Sequence, residues 1–420
     1  MSYSARNLVL RTIVLCMVLL GSAALAEEKP AASLVIPYFE VSTSASGPTT
    51  LFAVTNAGAS PAIAHVTLWT SYWQPTLTFD VVLAAHDIAT YNVRDILNGT
   101  FPATAPLGMP GCSQYSSPAF GAVSRQTLWQ DHQGQTCLAS DTGGLAVGII
   151  TIDLVRQCTP LQTANYAGGN GSTPLSAGYF ANGGAGLALN DNVLLADFHL
   201  VDPQQNYAQG DTAFHLPASS VAFPASGDTF YGALGSQGAD NRAPLSSVLY
   251  ARVINGGAFT GGTDLLVWRD STTDNQGGFA CGVGPNWLPL NETEVIAFDE
   301  QENATELCFS GPGGVISPPE PGSDPTCFPL ETQRVSVGEG DLAPPYDFGW
   351  MALNLNIDDV GVTGDVDFGT AGNIAQSYVI AEHRASGRFA VGLSAISLTS
   401  ACEDLSPLVG ETLPPPFPVP

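Results

Sequence analysis

Leu51-Phe52-Ala53-Val54-Thr55-Asn56-Ala57-Gly58 and Tyr250-Ala251-Arg252-Val253-Ile254-Asn255-Gly256-Gly257 are the stretches that decide the fold. Each is a short apolar run closed by Asn and Gly, the pattern of a strand entering a turn. A second run follows each of them: His65-Val66-Thr67-Leu68-Trp69 in the first copy and Asp264-Leu265-Leu266-Val267-Trp268 in the second. The tryptophan trails the asparagine by 13 residues in both (56 to 69 and 255 to 268). Further along, Tyr207-Ala208-Gln209-Gly210 before Ala213 is echoed by Phe389-Ala390-Val391-Gly392 before Ala395. Two copies in one order predict a duplicated β domain.

Working outward, Gly (45 residues) and Pro (31 residues) are frequent enough to interrupt helices, and the apolar runs between them are short. The prediction is an all-β chain: a tandem of two related antiparallel β-sandwich domains, immunoglobulin-like, loop-rich and disulfide-stapled. The domains are drawn at 30–222 and 240–402. Residues 1–26 precede them as a signal peptide, and 403–420 follow as a proline-rich tail. In the strand before each tryptophan, Val66 and Leu68 match Leu265 and Val267, so these positions should face the core. Trp69 and Trp268 then share the opposite face with His65 and Asp264, under a loop or against the partner domain.

The signal peptide is read from Arg6 and Arg11, the apolar run Thr12 to Leu20, and the small-residue site Ala24-Leu25-Ala26. It predicts an exported protein, secreted or held in the periplasm or cell envelope, that does not span a membrane. The formal charge of −26 comes from 38 acids against 12 Lys and Arg. Such a surface repels phosphate backbones, which excludes nucleic acid as a partner. A glycan or a protein at the cell surface remains as the partner class, with calcium as the candidate ion.

Cys112 and Cys137 follow Asn98-Gly99-Thr100, while Cys308 and Cys327 follow Asn303-Ala304-Thr305. Equivalent order predicts bridges 112–137 and 308–327, each worth about 3 kcal/mol by loop closure. Cys281 and Cys402 would then pair and leave Cys158 alone.

No nucleophile elbow, zinc-protease helix or phosphate loop occurs in the sequence. Tyr72, Trp73, Trp129 and Trp287 fall in expected loops, where flat aromatic faces bind sugars and peptides well. Asn356, Asp358, Asp359, Asp365 and Asp367 form an oxygen-rich run suited to calcium, although the spacing is not that of an EF-hand. Asp197-x-His199 and Glu382-His383 set a carboxylate beside an imidazole at places that look matched in the two copies. The expected role is therefore a non-enzymatic structural, adhesive or ligand-binding module. The rival is a secreted polysaccharide hydrolase whose carboxylate pair comes from Asp197, Glu382 or the acidic run, at about 5–9 Å separation.

Overall fold

The computed structural model describes residues 29–101, 107–112, 122–139, 142–163, 173–180, 186–219, 229–233, 239–246, 248–269, 292–307, 327–328, 332–338, 340–357, 376–385, 389–394 and 396–397. Among the described residues the structure is mostly β, with 50% in strands and 8% in helix, arranged in several antiparallel sheets.

The first half contributes β1 (Ser33–Val41), β2 (Thr49–Asn56), β3 (Ala62–Thr70), β4 (Pro75–Leu83), β5 (Ile88–Asn92) and β6 (Ala146–Val155). It continues with β7 (Gln162–Thr163), β8 (Leu194–Asp202), β9 (Tyr207–Thr212) and β10 (Phe214–Leu216). These strands form a six-stranded sheet, β10-β1-β6-β3-β4-β7, and a four-stranded sheet, β5-β2-β8-β9. Val66, Leu68, Ile150 and Ile152 of the larger sheet share one buried cluster with Phe52, Val54, Phe198 and Leu200 of the smaller.

The second half contributes β11 (Val248–Ile254), β12 (Gly262–Arg269), β13 (Glu292–Asp299), β14 (Ala304–Leu307) and β15 (Thr332–Ser336). Next come β16 (Phe348–Ile357), β17 (Ser377–Ala385), β18 (Phe389–Ser394) and β19 (Ile396–Ser397). They form sheets β14-β13-β16-β11-β19 and β15-β12-β17-β18. Leu249, Ala251, Val253, Met351 and Leu353 of the first share a second buried cluster with Leu265, Val267, Val379 and Ala381 of the other.

The asparagine positions are wired alike. Asn56 donates its backbone N–H to the carbonyl of Asp87 at 2.9 Å, one residue before β5; Asn255 donates to that of Asp347 at 2.7 Å, one residue before β16. β5 and β16 are in turn the antiparallel neighbours of β2 and β11. The side-chain amide of Asn56 donates to the Ala84 carbonyl at 2.8 Å, and that of Asn255 to the Val337 carbonyl at 2.6 Å. Both acceptors lie just past the strand that pairs with the tryptophan strand, β4 in one half and β15 in the other. The asparagine thus ties the edge of one sheet to the connection leaving the other, which is why the strand must end in this residue rather than another turn former.

The second echo does not share this equivalence. β9 pairs with β8, which lies beside the asparagine strand β2, whereas β18 pairs with β17, which lies beside the tryptophan strand β12. Asp197 and Glu382 therefore occupy different sheets. Register gives the true counterpart: Trp69 lies opposite Ile149 and His65 opposite Asp153, as Trp268 lies opposite Tyr378 and Asp264 opposite Glu382.

Two helices interrupt the strands of the first half, α1 (Val93–Leu97) and α2 (Ala122–His132), the latter where Trp129 was expected in a loop. Tertiary packing supports α2 in place of a strong apolar stripe: Leu128 and His132 are buried against the sheet. The predicted 112–137 bridge is replaced by Cys112–Cys158. Residues 110–112 lie against the end of β6, where the Cys158 N–H donates to the Pro110 carbonyl at 2.9 Å, so the nearest thiol is one that order in the sequence leaves over. Cys137 and Cys327 are also disulfide-bonded. Cys281, Cys308 and Cys402 lie outside the described residues, as does the segment read as a signal peptide. Past residue 222, a single helical turn α3 (Phe230–Ala233) adds Phe230 and Tyr231 to the first buried cluster.

Candidate functional site

The tryptophan strands meet each other across the two halves. Trp69 and Trp268 are completely buried, and both sit on the sheet face opposite Val66, Leu68, Leu265 and Val267. Trp73 joins them, its ring 5.0 Å from Trp69 and 5.2 Å from Trp268, while Phe230 lies 5.6 Å from Trp268. Leu266, Trp268, Tyr378 and Ile380 of the second half belong to the first half's buried cluster. This face, expected under a loop or against the partner domain, packs against the other half of the chain. Trp73, however, is not displayed for a ligand: a tight turn with Trp73 at φ 52° folds the ring inward, leaving it 5% exposed.

At the other end of this join the contacts become ionic. Because side chains alternate, Asp264 (β12), Glu382 (β17) and Arg334 (β15) project from the same face as Leu266 and Trp268. They meet Tyr38 and Glu40 of β1 and Tyr207 of β9. Arg334 is the hub. Its guanidinium lies 2.6 Å from Glu382, 2.9 Å from Glu40 and 3.4 Å from Asp264, and its Cζ stands 5.7 Å from the Tyr38 ring. Arg384 reaches Glu382 at 3.0 Å and Asp264 at 3.6 Å, and covers the Tyr207 ring at 5.0 Å. The Tyr207 hydroxyl donates to Glu382, and the Tyr38 hydroxyl to Glu40 at 3.2 Å.

Burial pushes the Glu382 carboxyl well above the usual carboxylate range, and the nearby Glu40 charge adds to this. Asp264 is also raised by burial, with Arg334 opposing. Burial works against the Arg334 charge, but Glu40, Tyr38 and Asp264 outweigh it and keep the guanidinium firmly protonated. The arrangement is a closed ion network in which every acid touches an arginine.

The register counterpart in the first half is a second buried polar row. Asp80, His65, Asp153 and Ser33 lie side by side on β4, β3, β6 and β1. The His65 Nδ1 is 2.6 Å from Asp80, whose other oxygen accepts from Thr159. Asp153 accepts from the hydroxyls of Tyr179 (2.8 Å), Tyr231 (3.1 Å) and Ser33. Arg242, wholly buried, donates to Ser33 and to the Leu189 and Asp240 carbonyls. Each carboxylate is thus met by fixed donors from other strands and loops, as buried charge requires.

The remaining candidates are dispersed. Asp197 and His199 form a loose pair at 3.8 Å, each about half exposed on β8, while the Glu382 side chain is completely buried. Tyr72 and Trp129 are half-buried, and the Trp129 indole N–H donates to Asn98 at 3.2 Å. Asn356 lies on β16; Asp358, Asp359, Asp365, Asp367 and Trp287 lie outside the described residues. Among the described residues no group of three or more His, Cys, Asp or Glu is placed to hold a metal, and no helix is long and apolar enough to cross a membrane.

Sequence reasoning passed over Arg334, Glu40 and Tyr38. Arg334 finds Glu382 48 residues away and Glu40 294 residues away in the chain (382 − 334 and 334 − 40), and only strand register brings them together. No protein-family model, curated protein or solved structure matches this chain.

Proposed function

We propose that this is an exported, non-enzymatic protein: a tandem of two related β-sandwiches, immunoglobulin-like in layering, with a structural, adhesive or ligand-binding role at the cell envelope or outside the cell. The reading as a duplicated sandwich is supported by the matched bonds of Asn56 and Asn255 and by the shared register around Trp69 and Trp268. Export is supported by the basic and apolar N-terminal run and by disulfide-bonded cysteines, which persist in oxidising compartments.

The observation that carries the non-enzymatic reading is the state of Glu382. A general acid must reach its substrate. This carboxyl has no exposed surface and is already bonded to Tyr207, Arg334 and Arg384. Its candidate partner Asp197 stands on a different sheet and faces solvent. Charged groups used in this way fix the relation of two β units rather than act on a bond. Glycans or cell-surface proteins are the partner class, and calcium is the proposed ion for the run from Asn356 to Asp367.

A glycan and polysaccharide panel tests the reading, with binding and hydrolysis followed on the same protein. Binding without release of reducing ends supports it. Release of reducing ends that disappears in both Glu382→Gln and Asp197→Asn would overturn it in favour of the hydrolase.

A further inference from the structure

Each half keeps one sheet face that the join does not cover. In β5-β2-β8-β9, the positions alternating with the buried Phe52, Val54, Tyr91 and Phe198 project outward, among them Leu51, Ile88, Asp197 and His199. In β14-β13-β16-β11-β19, Arg252, Phe348 and Trp350 alternate in the same way with the buried Ala251, Val253, Met351 and Leu353. Ile88 is 56% exposed, Trp350 41%, Phe348 39% and Leu51 36%. Among the described residues Leu107 is the remaining large apolar side chain so exposed, so four of five lie on these two faces. Exposed apolar surface gathered in this way marks an interaction site.

The two faces are built at equivalent places. Asp87 and Asp347 accept the N–H groups of Asn56 and Asn255, so the residues after them, Ile88 and Phe348, correspond. Ala53 and Arg252 correspond too, each three residues before its asparagine (56 − 53 and 255 − 252). The charges on the two faces are opposite. Ala53 lies across from Asp197 of β8, whose side chain is half exposed. In the second half the matching place holds the exposed Arg252, whose guanidinium lies over the Trp350 ring at 5.4 Å. One face thus sets a carboxylate near Leu51 and Ile88, and the other sets a cation near Phe348 and Trp350.

We infer that the outward face of the first half binds the outward face of the second half of another copy of this chain, with Asp197 facing Arg252 and with Leu51 and Ile88 covering Phe348 and Trp350. Charge selects this pairing. Two first-half faces would set two carboxylates in one contact, and two second-half faces two guanidiniums, and like charges brought together oppose association. Contact between two different faces leaves one of each free on the resulting pair, so copies add on as an open chain or close into a ring. The formal charge of −26 makes copies repel at long range, and salt screens that repulsion before the faces meet. Self-assembly goes beyond the glycan or cell-surface partner proposed above, and its readout does not depend on that partner.

The test is sedimentation velocity of the full chain over a concentration series at about 0.15 M salt. The expected result is a mass that rises with concentration above that of one chain. One variant carries Leu51→Ser with Ile88→Ser, and a second carries Phe348→Ser with Trp350→Ser. Each alone should sediment as a single chain, and an equimolar mixture as two chains and no more, because each variant keeps one intact face. Asp197→Arg should abolish assembly, and Asp197→Arg with Arg252→Asp in one chain should restore it, which a variant that merely misfolds would not do. A natural chain that stays single at every concentration would overturn the inference. So would a serine variant that still pairs with itself, since the contact would then join like faces, or a double charge reversal that fails to restore assembly.

Discussion

Replacing Arg334 by Met removes the one group among the described residues that touches Glu40, Asp264 and Glu382 together. Methionine keeps much of the stem's volume, so the loss is chiefly electrostatic. Breaking a buried ion pair from one side costs about 3–5 kcal/mol, since the surviving charge stays desolvated. Unfolding entropy near 2.1 cal/mol/K per residue gives about 0.8 kcal/mol/K for a chain of about 390 residues. A loss of about 4 kcal/mol then lowers Tm by about 5 °C, provided the two halves melt together. If only the second half melted, at about 160 residues, the same loss would lower it by about 12 °C. The acids also set a pH signature. Glu382 and Asp264 already have raised values in the folded chain, so stability falls as pH rises through those values. Without Arg334 both are raised further, and the deficit is larger at pH 8 than at pH 5. Circular dichroism melts at both pH values read this directly. Arg334→Met with Glu382→Gln should recover about half of the loss, because one stranded carboxylate is gone. A Tm change below about 1 °C at both pH values would refute the assignment of Arg334 as the hub.

Other perturbations have distinct readouts. Trp268→Ala empties the centre of the aromatic join and should cost about 3–5 kcal/mol in chemical denaturation, without loss of secondary structure below the transition. Burial holds His132 and His383 down to about 4, so each stays neutral when folded and takes up a proton on unfolding below pH 6.5. Stability is therefore lost as pH falls from 6.5 to 4, by about 3 kcal/mol for the wholly buried His132, and His132→Phe should flatten that part of the profile. Removing the Cys112–Cys158 bridge with Cys112→Ser and Cys158→Ser together should cost about 4 kcal/mol, the chain-entropy value for its 46-residue separation. Melting with calcium and with chelator checks the proposed ion, since a bound ion raises Tm and a chelator abolishes the rise.

The legible part of this fold was the part written in local order. Asn and Gly closing an apolar run gave β2 and β11, and the two-residue period placed Val66, Leu68, Leu265 and Val267 in the cores, with both tryptophans on the far faces. The second echo misled because strands in different sheets can share a pattern of small and aromatic residues: Gly210 sits under the His199 ring of its own sheet, a local reason for glycine that says nothing of ancestry. The disulfide failed for a related reason. Cys112 meets Cys158 because the loop folds back on the end of β6, and spacing does not encode that return. Glu382 drew attention as an acid beside a histidine, whereas its environment is made by Arg334, Glu40 and Tyr207, which only the three-dimensional register brings together. Helix α2 escaped because packing of Leu128 and His132, rather than its own periodicity, holds it in place.

Two β units locked through Trp69, Trp73, Trp268 and Arg334 should melt as one cooperative body. Differential scanning calorimetry of the full chain tests this most directly. One transition whose calorimetric enthalpy equals its van't Hoff enthalpy is the predicted result. Two separated transitions, each with the enthalpy of about half the chain, would contradict it.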